Sequence, residues 1–304
     1  MTPVGRFAPS PSGRMHLGNV FAAMLAWLSI RSQNGRMLLR MEDLDPDRCR
    51  PEYIRQLRQD LDWLGFDWDA ESPAQSTRTE AYAACFAVLE QAGLVYPCYC
   101  SRDQLHAASA PHASDGRLLY AGTCRSLTDA ERAQKTKRPA WRLTVPDQIY
   151  GFTDGLFGPV EENLARECGD FIIRRADGVY AYQLAVVCDD GESGVTEVVR
   201  GCDLLDSTPR QLYLMEQLGF TPPRYTHVPL LTDESGRRLS KRDKDLDLEQ
   251  LRQHKRPEDI LGLLAHAAGL LEKPEAICAR DLVPLFDWSR VTTTPNIPIR
   301  QLLA

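Results

Sequence analysis

The residues from 6 to 19 are the part of the sequence best suited to chemistry on a phosphate. A short apolar run, 4–8, enters a loop rich in proline, serine and glycine, which leads into an apolar helix. The free N–H groups at such a helix start attract phosphate. His16 and Asn19 are three positions apart on one face of the first turn, and Gly18 leaves room for a nucleotide near the backbone. The same pattern also describes a proline-rich loop with a helix-capping residue.

A second candidate is the basic run Arg-Arg-Leu-Ser-Lys-Arg-Asp-Lys at residues 237–244. Lys241 in a flexible loop suits stabilisation of the charge that develops on a phosphoryl group during its transfer. A solvated charged loop is the alternative interpretation. Neither of the two commonest nucleotide-binding fingerprints, G-x-x-x-x-G-K-[ST] and G-x-G-x-x-G, occurs in the chain.

Three of the nine cysteines have a spacing typical of a metal site. Cys98, Cys100 and Cys124 lie within 27 residues of one another and can supply three thiolate ligands for tetrahedral zinc. His106 and His112 lie in the loop between them and are candidates for the fourth ligand. Buried free thiols are the alternative. The other six cysteines lack such spacing and are expected to be small buried side chains.

The first 95 residues alternate between strand and helix patterns, which predicts parallel β-α-β units and an α/β fold. Strands are expected at 4–8 and 37–41, with helices at 20–30, 54–64 and 82–89. Residues 96–139 break this pattern and are expected to form an insertion. Beyond it the sequence predicts strands at 141–145, 171–175, 180–187 and 195–199, with an Asp177-Gly178 hairpin turn. Helices are predicted at 208–218, between Ser207 as cap and Gly219, and at 257–271.

The composition excludes several classes of protein. The chain has 304 residues, of which 43% are hydrophobic and 26% charged, as in folded proteins. Its net charge of −6 argues against a protein that coats nucleic acid by bulk charge. No apolar stretch reaches the roughly 20 residues of a membrane span, and the start lacks a signal core. An odd number of scattered cysteines indicates a reducing compartment. We expect a cytoplasmic monomer without membrane contact.

Together, the H-x-G-[HN] helix start and the late L-S-K loop resemble the paired signatures of class I aminoacyl-tRNA synthetases. The residues around them look like the glutamyl branch of that class: R-F-A-P-S-P-S-G from Arg6, R-M-E-D-L-D from Arg40, and L-S-K from Leu239. The resemblance runs from about residue 3 to residue 270. The sequence departs from the family pattern at Asn19, where the family has histidine, and at Leu239, where methionine is frequent. Asparagine can still donate a hydrogen bond to a phosphate or a ribose.

The resemblance implies a Rossmann-like parallel-sheet nucleotide-binding domain with a zinc-bearing insertion and a short C-terminal helical region. The implied division is 1–95 for the first half of the catalytic domain, 96–140 for the zinc insert, 141–230 for the rest of the insertion and the second half of the catalytic domain, and 231–304 for the lysine loop and C-terminal helices.

The resemblance also implies roles for individual residues. Catalysis is assigned to His16, Asn19 and Lys241. ATP, accompanied by Mg²⁺, is expected to contact Pro9, Gly13, His16, Gly18, Asn19, Leu239, Ser240 and Lys241. L-glutamate is expected to contact Arg6, Phe7, Ala8, Pro9, Ser10, Glu42, Tyr182 and Arg200. The family pattern C-x-C…Y-x-x-x-C adds Tyr120 to Cys98, Cys100 and Cys124 as the fourth ligand of one structural Zn²⁺.

The length narrows the resemblance further. Only about 60 residues follow Lys241, so no anticodon-binding domain is expected. That form resembles the glutamyl-queuosine tRNA(Asp) synthetases, which activate glutamate with ATP and transfer it to the queuosine base in the anticodon of tRNA(Asp). The alternatives are a tRNA-charging glutamyl-tRNA synthetase, a non-catalytic relative that binds tRNA or a protein, and a nucleotidyltransferase of the same superfamily.

Overall fold

A computed structural model of the protein describes residues 2–101, 119–233, 236, 237, 239 and 247–299. Its strands are β1 (Val4–Phe7), β2 (Arg36–Leu39), β3 (Ala70–Glu71), β4 (Val95–Cys98), β5 (Ala140–Leu143), β6 (Ile149–Asp154), β7 (Gly158–Asn163), β8 (Phe171–Arg174), β9 (Glu197–Gly201), β10 (Arg224–Val228), β11 (Leu230–Thr232) and β12 (Asn296–Pro298). Its α-helices are α1 (Leu17–Ser32), α2 (Pro51–Leu64), α3 (Thr79–Gln91), α4 (Asp129–Ala133), α5 (Tyr182–Glu192), α6 (Thr208–Leu218), α7 (Leu248–Leu251), α8 (Pro257–Ala268) and α9 (Ala279–Leu282).

A five-stranded sheet in the order β10-β9-β1-β2-β3 forms the centre of the fold. Every neighbouring pair in it is parallel, as the alternating pattern predicts. Strands β1, β2 and β3 follow one another toward one edge of the sheet, and β9 and β10 follow one another toward the other edge. The order therefore reverses between β1 and β9, and a ligand crevice is expected there, at the carboxyl ends of the strands.

Helix α1 packs its apolar residues into the main core together with α2 and α8. It is buried almost all round, which explains why its sequence is apolar without a polar stripe. Strand β1 approaches α1 closely at Gly5. A Cβ atom at that position would lie 2.3 Å from Cγ1 of Ile30. The absence of a side chain at Gly5 therefore sets the distance between the strand that carries Arg6 and the helix that carries Asn19.

A second, antiparallel sheet in the order β4-β5-β8 follows the first half of the parallel sheet. Strand β4 ends at Cys98, so this sheet supports the cysteine cluster. The β6–β7 hairpin, whose strands the sequence did not predict, turns between Asp154 and Gly158. The backbone N–H of Gly155 donates to the carbonyl of Tyr225 in β10, which ties the hairpin turn to the parallel sheet.

The predicted strand at residues 180–187 is wrong: this segment forms helix α5, Tyr182–Glu192. The turn at Asp177-Gly178 is present, but only the single bridge Arg174–Tyr180 follows it. The alternation of large apolar residues resembled a strand, yet seven consecutive residues from Leu184 to Asp190 are buried. A helix enclosed on all sides gives no amphipathic period, so a short apolar run cannot distinguish the two structures.

Helix α6 ends at Gly219 in the left-handed conformation, as predicted, but Ser207 does not cap it. A 3₁₀ turn, Cys202–Ser207, leads directly into the helix, and Ser207 is already in the helical region. The Ser207 hydroxyl instead accepts a hydrogen bond from Gln183 Nε2 at 3.1 Å. Among the described residues, no helix combines the length and apolarity needed to cross a bilayer.

The contact between β1 and α1 can be tested with Gly5→Ala. We expect it to lower the free energy of unfolding by about 1–3 kcal/mol, because the added methyl overpacks the contact with Ile30. Urea denaturation measures this loss. In an Ile30→Ala background the same change should cost much less, because the space is then vacant. An equal cost in both backgrounds would contradict the close contact.

Candidate active site

A cavity of about 460 Å³ opens at the carboxyl ends of β1 and β9, where the strand order reverses. Every residue predicted to bind glutamate lines it: Arg6, Phe7, Ala8, Pro9, Ser10, Glu42, Tyr182 and Arg200. The cavity also contains most of the predicted ATP set: Pro9, Gly13, His16, Gly18, Asn19 and Leu239. Ser240 and Lys241 lie outside the described residues. Thus one crevice brings together residues from distant parts of the chain.

The start of helix α1 forms one wall of the cavity, and His16 is its N-cap. The Nδ1 atom of His16 accepts a hydrogen bond from the N–H of Gly18 at 3.1 Å, and Asn19 Oδ1 accepts from the N–H of His16 at 3.2 Å. Because Nδ1 is an acceptor, the neutral ring carries its proton on Nε2. Capping and phosphate binding are therefore compatible roles for His16.

Gly18 lies close to the histidine ring of this cap. A Cβ atom there would lie 3.0 Å from Cε1 and 3.1 Å from Nδ1 of the His16 ring. Gly18 therefore lies against the His16 ring and also lines the cavity. The H-x-G-N spacing follows from the geometry of the cap.

Both ends of the lysine-loop segment are attached to the cavity. Leu239 lines it, is 2% exposed, and donates its N–H to the carbonyl of Leu231. Asp247 forms a backbone bridge with His16, and the N–H of Leu248 donates to the carbonyl of Met15 at 2.9 Å. The residues at the two ends of the loop therefore lie beside the start of α1, the other part of the predicted ATP site.

Arg200 at the end of β9 is buried and has uncharged partners. Its Nε donates to His227 Nε2 at 3.0 Å and its Nη1 to Gln211 Oε1 at 2.8 Å. Its Nη2 donates to Thr208 Oγ1 at 2.8 Å and to the carbonyl of Leu204 at 3.4 Å. A buried cation held by neutral acceptors keeps its charge for a carboxylate ligand.

Arg6 and Arg40 differ from Arg200, because both pair with the buried carboxylate of Asp190. Arg40 Nη1 lies 2.6 Å from Asp190 Oδ1, whereas Arg6 Nε lies 3.4 Å from the same oxygen. Burial raises the pKa of Asp190, but Arg40 and Arg6 lower it more, so the net pKa is below its ordinary value. Asp190 is therefore ionised, and Arg6 is the more loosely held of its two partners.

Glu42 is the acidic group in the cavity wall that sequence analysis assigned to the substrate. Arg40 Nη2 lies 3.2 Å from Glu42 Oε1. Burial raises the pKa of the Glu42 carboxyl, and Arg40 and Arg6 offset this only in part. A nearby ammonium group would oppose the effect of burial and favour the ionised form.

Helix α5 supplies both Tyr182 and Asp190 from one face. Tyr182 is its first residue, and Asp190 follows eight positions later, which is about two helical turns. Asp189 accepts from Gln75 Nε2 and from Arg78 Nε, both at 2.7 Å, and its Oδ2 also lies 3.6 Å from Arg40 Nε.

Sequence reasoning missed four residues that support the cavity: Arg40, Asp190, His227 and Asp154. Arg40 was quoted only as part of a motif. Asp190 left one signal, namely an acidic pair at the end of an apolar run. His227 pairs in register with Arg200 across β9 and β10, and Asp154 ends β6. No spacing in the sequence connects these last two residues with Arg200.

The cysteine cluster lies in the antiparallel part of the chain. One ligand atom from each of Cys98, Cys100 and Cys124 lies within 4.8 Å of the others. Tyr120 Oη is 3.5 Å from Cys98 Sγ and accepts a hydrogen bond from the N–H of Cys124 at 2.8 Å. The Arg142 guanidinium lies 3.8 Å from the centre of the Tyr120 ring. His106 and His112 lie outside the described residues.

Comparison with known proteins matches this chain to a family. Residues 4–301 match the model of the catalytic domain of class I tRNA synthetases (E and Q). The chain is 49% identical to a glutamyl-Q tRNA(Asp) synthetase of Nitratidesulfovibrio vulgaris, over 98% of this chain and 96% of that one. It is 46% identical to a protein of the same name from Symbiobacterium thermophilum, over 99% and 97% of the two chains.

A solved structure shares the fold. It is a glutamate tRNA ligase from Elizabethkingia meningosepticum in complex with its amino acid, with a TM-score of 0.83 and 23% identity. The superposition covers 99% of this chain and 68% of that one. At that identity the likeness concerns the fold alone. The family match over nearly the whole chain and the close relatives show that this chain belongs to the class I tRNA synthetases of the E and Q type.

Proposed function

We propose that the protein activates L-glutamate with ATP in the absence of tRNA and transfers the glutamyl group to the queuosine base in the anticodon of tRNA(Asp). The cavity is the observation that supports the activation step. It is lined both by Arg200, a buried arginine with uncharged partners, and by the capped start of α1. The choice of acceptor rests on several relatives of 44–49% identity that are named glutamyl-Q tRNA(Asp) synthetases.

The glutamate site is proposed to use charge complementarity. The substrate has two carboxylates and one ammonium group. Arg200 and Arg6 would each take a carboxylate, and Glu42 would take the ammonium. Tyr182 adds a hydroxyl beside them, while Phe7, Ala8, Pro9 and Ser10 form the wall from the end of β1. An uncharged side-chain amide would leave a buried arginine unpaired, which disfavours glutamine.

In activation, a carboxylate oxygen of glutamate attacks the α-phosphorus of ATP, and pyrophosphate leaves. The carboxylate is already ionised at neutral pH, so no general base is required. His16 and Asn19 are proposed to donate hydrogen bonds to phosphate oxygens at the positive end of α1. Lys241, two residues after the cavity-lining Leu239, would neutralise the charge that develops there. Mg²⁺ would accompany ATP, held largely by phosphates and water.

The cysteine cluster is proposed to hold one structural Zn²⁺. The three thiol sulfurs lie within 4.8 Å of one another, and the Tyr120 phenol oxygen lies 3.5 Å from Cys98 Sγ, so the four groups could serve as a tetrahedral set of donors. The Zn²⁺ would join the end of β4 to the segment around Cys124. We also propose a cytoplasmic monomer. No disulfide bond joins any two of the nine cysteines, all of which lie among the described residues, and this suits a reducing compartment.

Two assays test the function. ATP–pyrophosphate exchange with glutamate and no tRNA should proceed, because the cavity contains both proposed substrate sites. Labelled glutamate should then be transferred to tRNA(Asp) that carries queuosine and not to tRNA(Asp) that lacks it.

Labelling of tRNA(Glu) would instead show a tRNA-charging synthetase. Exchange that requires tRNA would contradict tRNA-independent activation. No exchange with any amino acid, with or without tRNA, would indicate a non-catalytic relative.

The raised pKa of Glu42 predicts a pH dependence. The KM for glutamate should increase as the pH falls through that pKa, because a protonated carboxyl group cannot form an ion pair with the substrate ammonium group. As the pH is lowered, this increase in KM should begin at a pH above the ordinary glutamate pKa of about 4.3. Glu42→Gln should raise the KM at neutral pH and remove this part of the dependence. The KM for ATP, measured in parallel, corrects for titration of ATP. An unchanged pH profile in Glu42→Gln would contradict the assignment.

Metal analysis of the purified protein tests the zinc site. About one zinc per chain is expected, with loss of most of it in Cys124→Ser and weaker retention against a chelator in Tyr120→Phe. Cys202→Ser is the matched control, because Cys202 lies outside the cluster and its substitution should leave the zinc content unchanged. A wild-type protein without stoichiometric zinc would refute the proposal.

A further inference from the structure

The side chain of Arg200 is held by a buried chain of hydrogen bonds that reaches well beyond the cavity. Arg200 and His227 are paired in the parallel register of β9 and β10, so the two side chains lie side by side on one face of the sheet. The His227 ring is completely buried. Its Nε2 accepts from Arg200 Nε, and its Nδ1 lies 2.6 Å from Asp154 Oδ2.

Asp154 has acceptor contacts typical of an ionised carboxylate. Its Oδ2 accepts from the ring and from the N–H of His227, and its Oδ1 accepts from the N–H groups of Leu156 and Phe157, both at 3.0 Å. Burial raises the pKa of Asp154, but these hydrogen bonds lower it more. All three backbone donors belong to β10 or the β6–β7 turn, so the carboxylate is fixed in place by the fold.

A fixed carboxylate decides which nitrogen of His227 carries the proton. The Nδ1–H donates to Asp154, so Nε2 presents its lone pair to the Nε–H of Arg200. The pKa of His227 is lowered, chiefly by burial and further by Arg200, although Asp154 opposes this. The ring is therefore neutral. The opposite tautomer would place two N–H groups against each other.

We infer that Asp154 and His227 are a positioning dyad that sets the orientation of the Arg200 guanidinium for the substrate carboxylate, an inference that rests on the proposed glutamate site. Described protein acceptors engage four of the five N–H groups of Arg200. All four are uncharged. The dyad thus fixes the position of the guanidinium without placing a carboxylate directly on it, because the neutral imidazole separates Asp154 from Arg200.

A direct carboxylate partner would have a different consequence. Asp190 contacts Arg6 and Arg40 directly, and the substrate must share those arginines with it. The neutral imidazole of His227 fixes the orientation of the Arg200 guanidinium without placing a negative charge next to it. We therefore assign the recognition of one substrate carboxylate to Arg200, oriented by His227, with Asp154 selecting the tautomer.

The test compares Asp154→Asn, His227→Leu and His227→Gln in ATP–pyrophosphate exchange, with Arg200→Lys as the reference for loss of the guanidinium. Asp154→Asn and His227→Leu should raise the KM for glutamate about tenfold or more, the effect of losing a hydrogen bond to a charged group. The KM for ATP should change less than about twofold. His227→Gln should recover much of the affinity, because its amide oxygen supplies an acceptor near the position of Nε2.

Asp170→Asn is the matched control. Asp170 is an equally buried carboxylate that accepts from the backbone N–H of Val145 at 2.9 Å, and it does not line the cavity. It should leave the KM for glutamate unchanged. Equal losses for glutamate and ATP in the dyad variants, or no recovery in His227→Gln, would contradict a positioning role.

A second measurement does not depend on activity. Nitrogen NMR of ¹⁵N-histidine-labelled wild-type protein should show His227 protonated on Nδ1 and unprotonated on Nε2. The Arg200 Nε–H resonance should shift in Asp154→Asn and His227→Leu but not in Asp170→Asn. The Nε2–H tautomer, or an unaffected Arg200 resonance, would overturn the dyad. Failure of all exchange in the wild type would refute the proposed function while leaving this result to decide the hydrogen-bond chain.

Discussion

The burial of three arginine side chains at one edge of a parallel sheet is the constraint on which the site depends. Arg6, Arg40 and Arg200 are each at most 6% exposed. A buried charge is costly unless it is paired or well hydrogen-bonded. The chain meets this requirement in two ways: Asp190 neutralises Arg6 and Arg40, whereas neutral acceptors surround Arg200. Of these three arginines, Arg200 is the one that has no carboxylate among its described hydrogen-bond partners, which is the basis for its proposed role in binding a carboxylate.

The same constraint explains why helix α5 is placed beside the strand ends. It carries Asp190 to Arg6 and Arg40, and it carries Asp189 to Arg78 and Gln75 as well as to Arg40. Removing either carboxylate would leave buried donors without partners, which is more costly than removing a surface ion pair. The helix therefore links the electrostatics of the cavity to the packing of the second core.

The start of α1 shows how one short motif has two roles. His16 and Asn19 cap the helix through reciprocal hydrogen bonds, and Gly18 makes room for the histidine ring. The cap orients both side chains at the positive end of the helix before any ligand binds. Preorganisation of this kind reduces the reorganisation needed during phosphoryl transfer. A motif that resembles a simple cap in sequence is therefore consistent with a binding function.

The sequence by itself determined the parallel β-α-β order, the two phosphate-binding candidates and the cysteine spacing. These features depend on local periodicity and short motifs, which a single chain displays directly. Only the tertiary structure decided that helix α5 begins at Tyr182 where a strand was predicted, that Asp190 pairs with Arg6 and Arg40, and that Asp154 and His227 form a hydrogen-bonded chain with Arg200. The physical reason is distance along the chain: Arg200 and Asp154 are 46 residues apart, and their link exists only because the β6–β7 turn packs against β10.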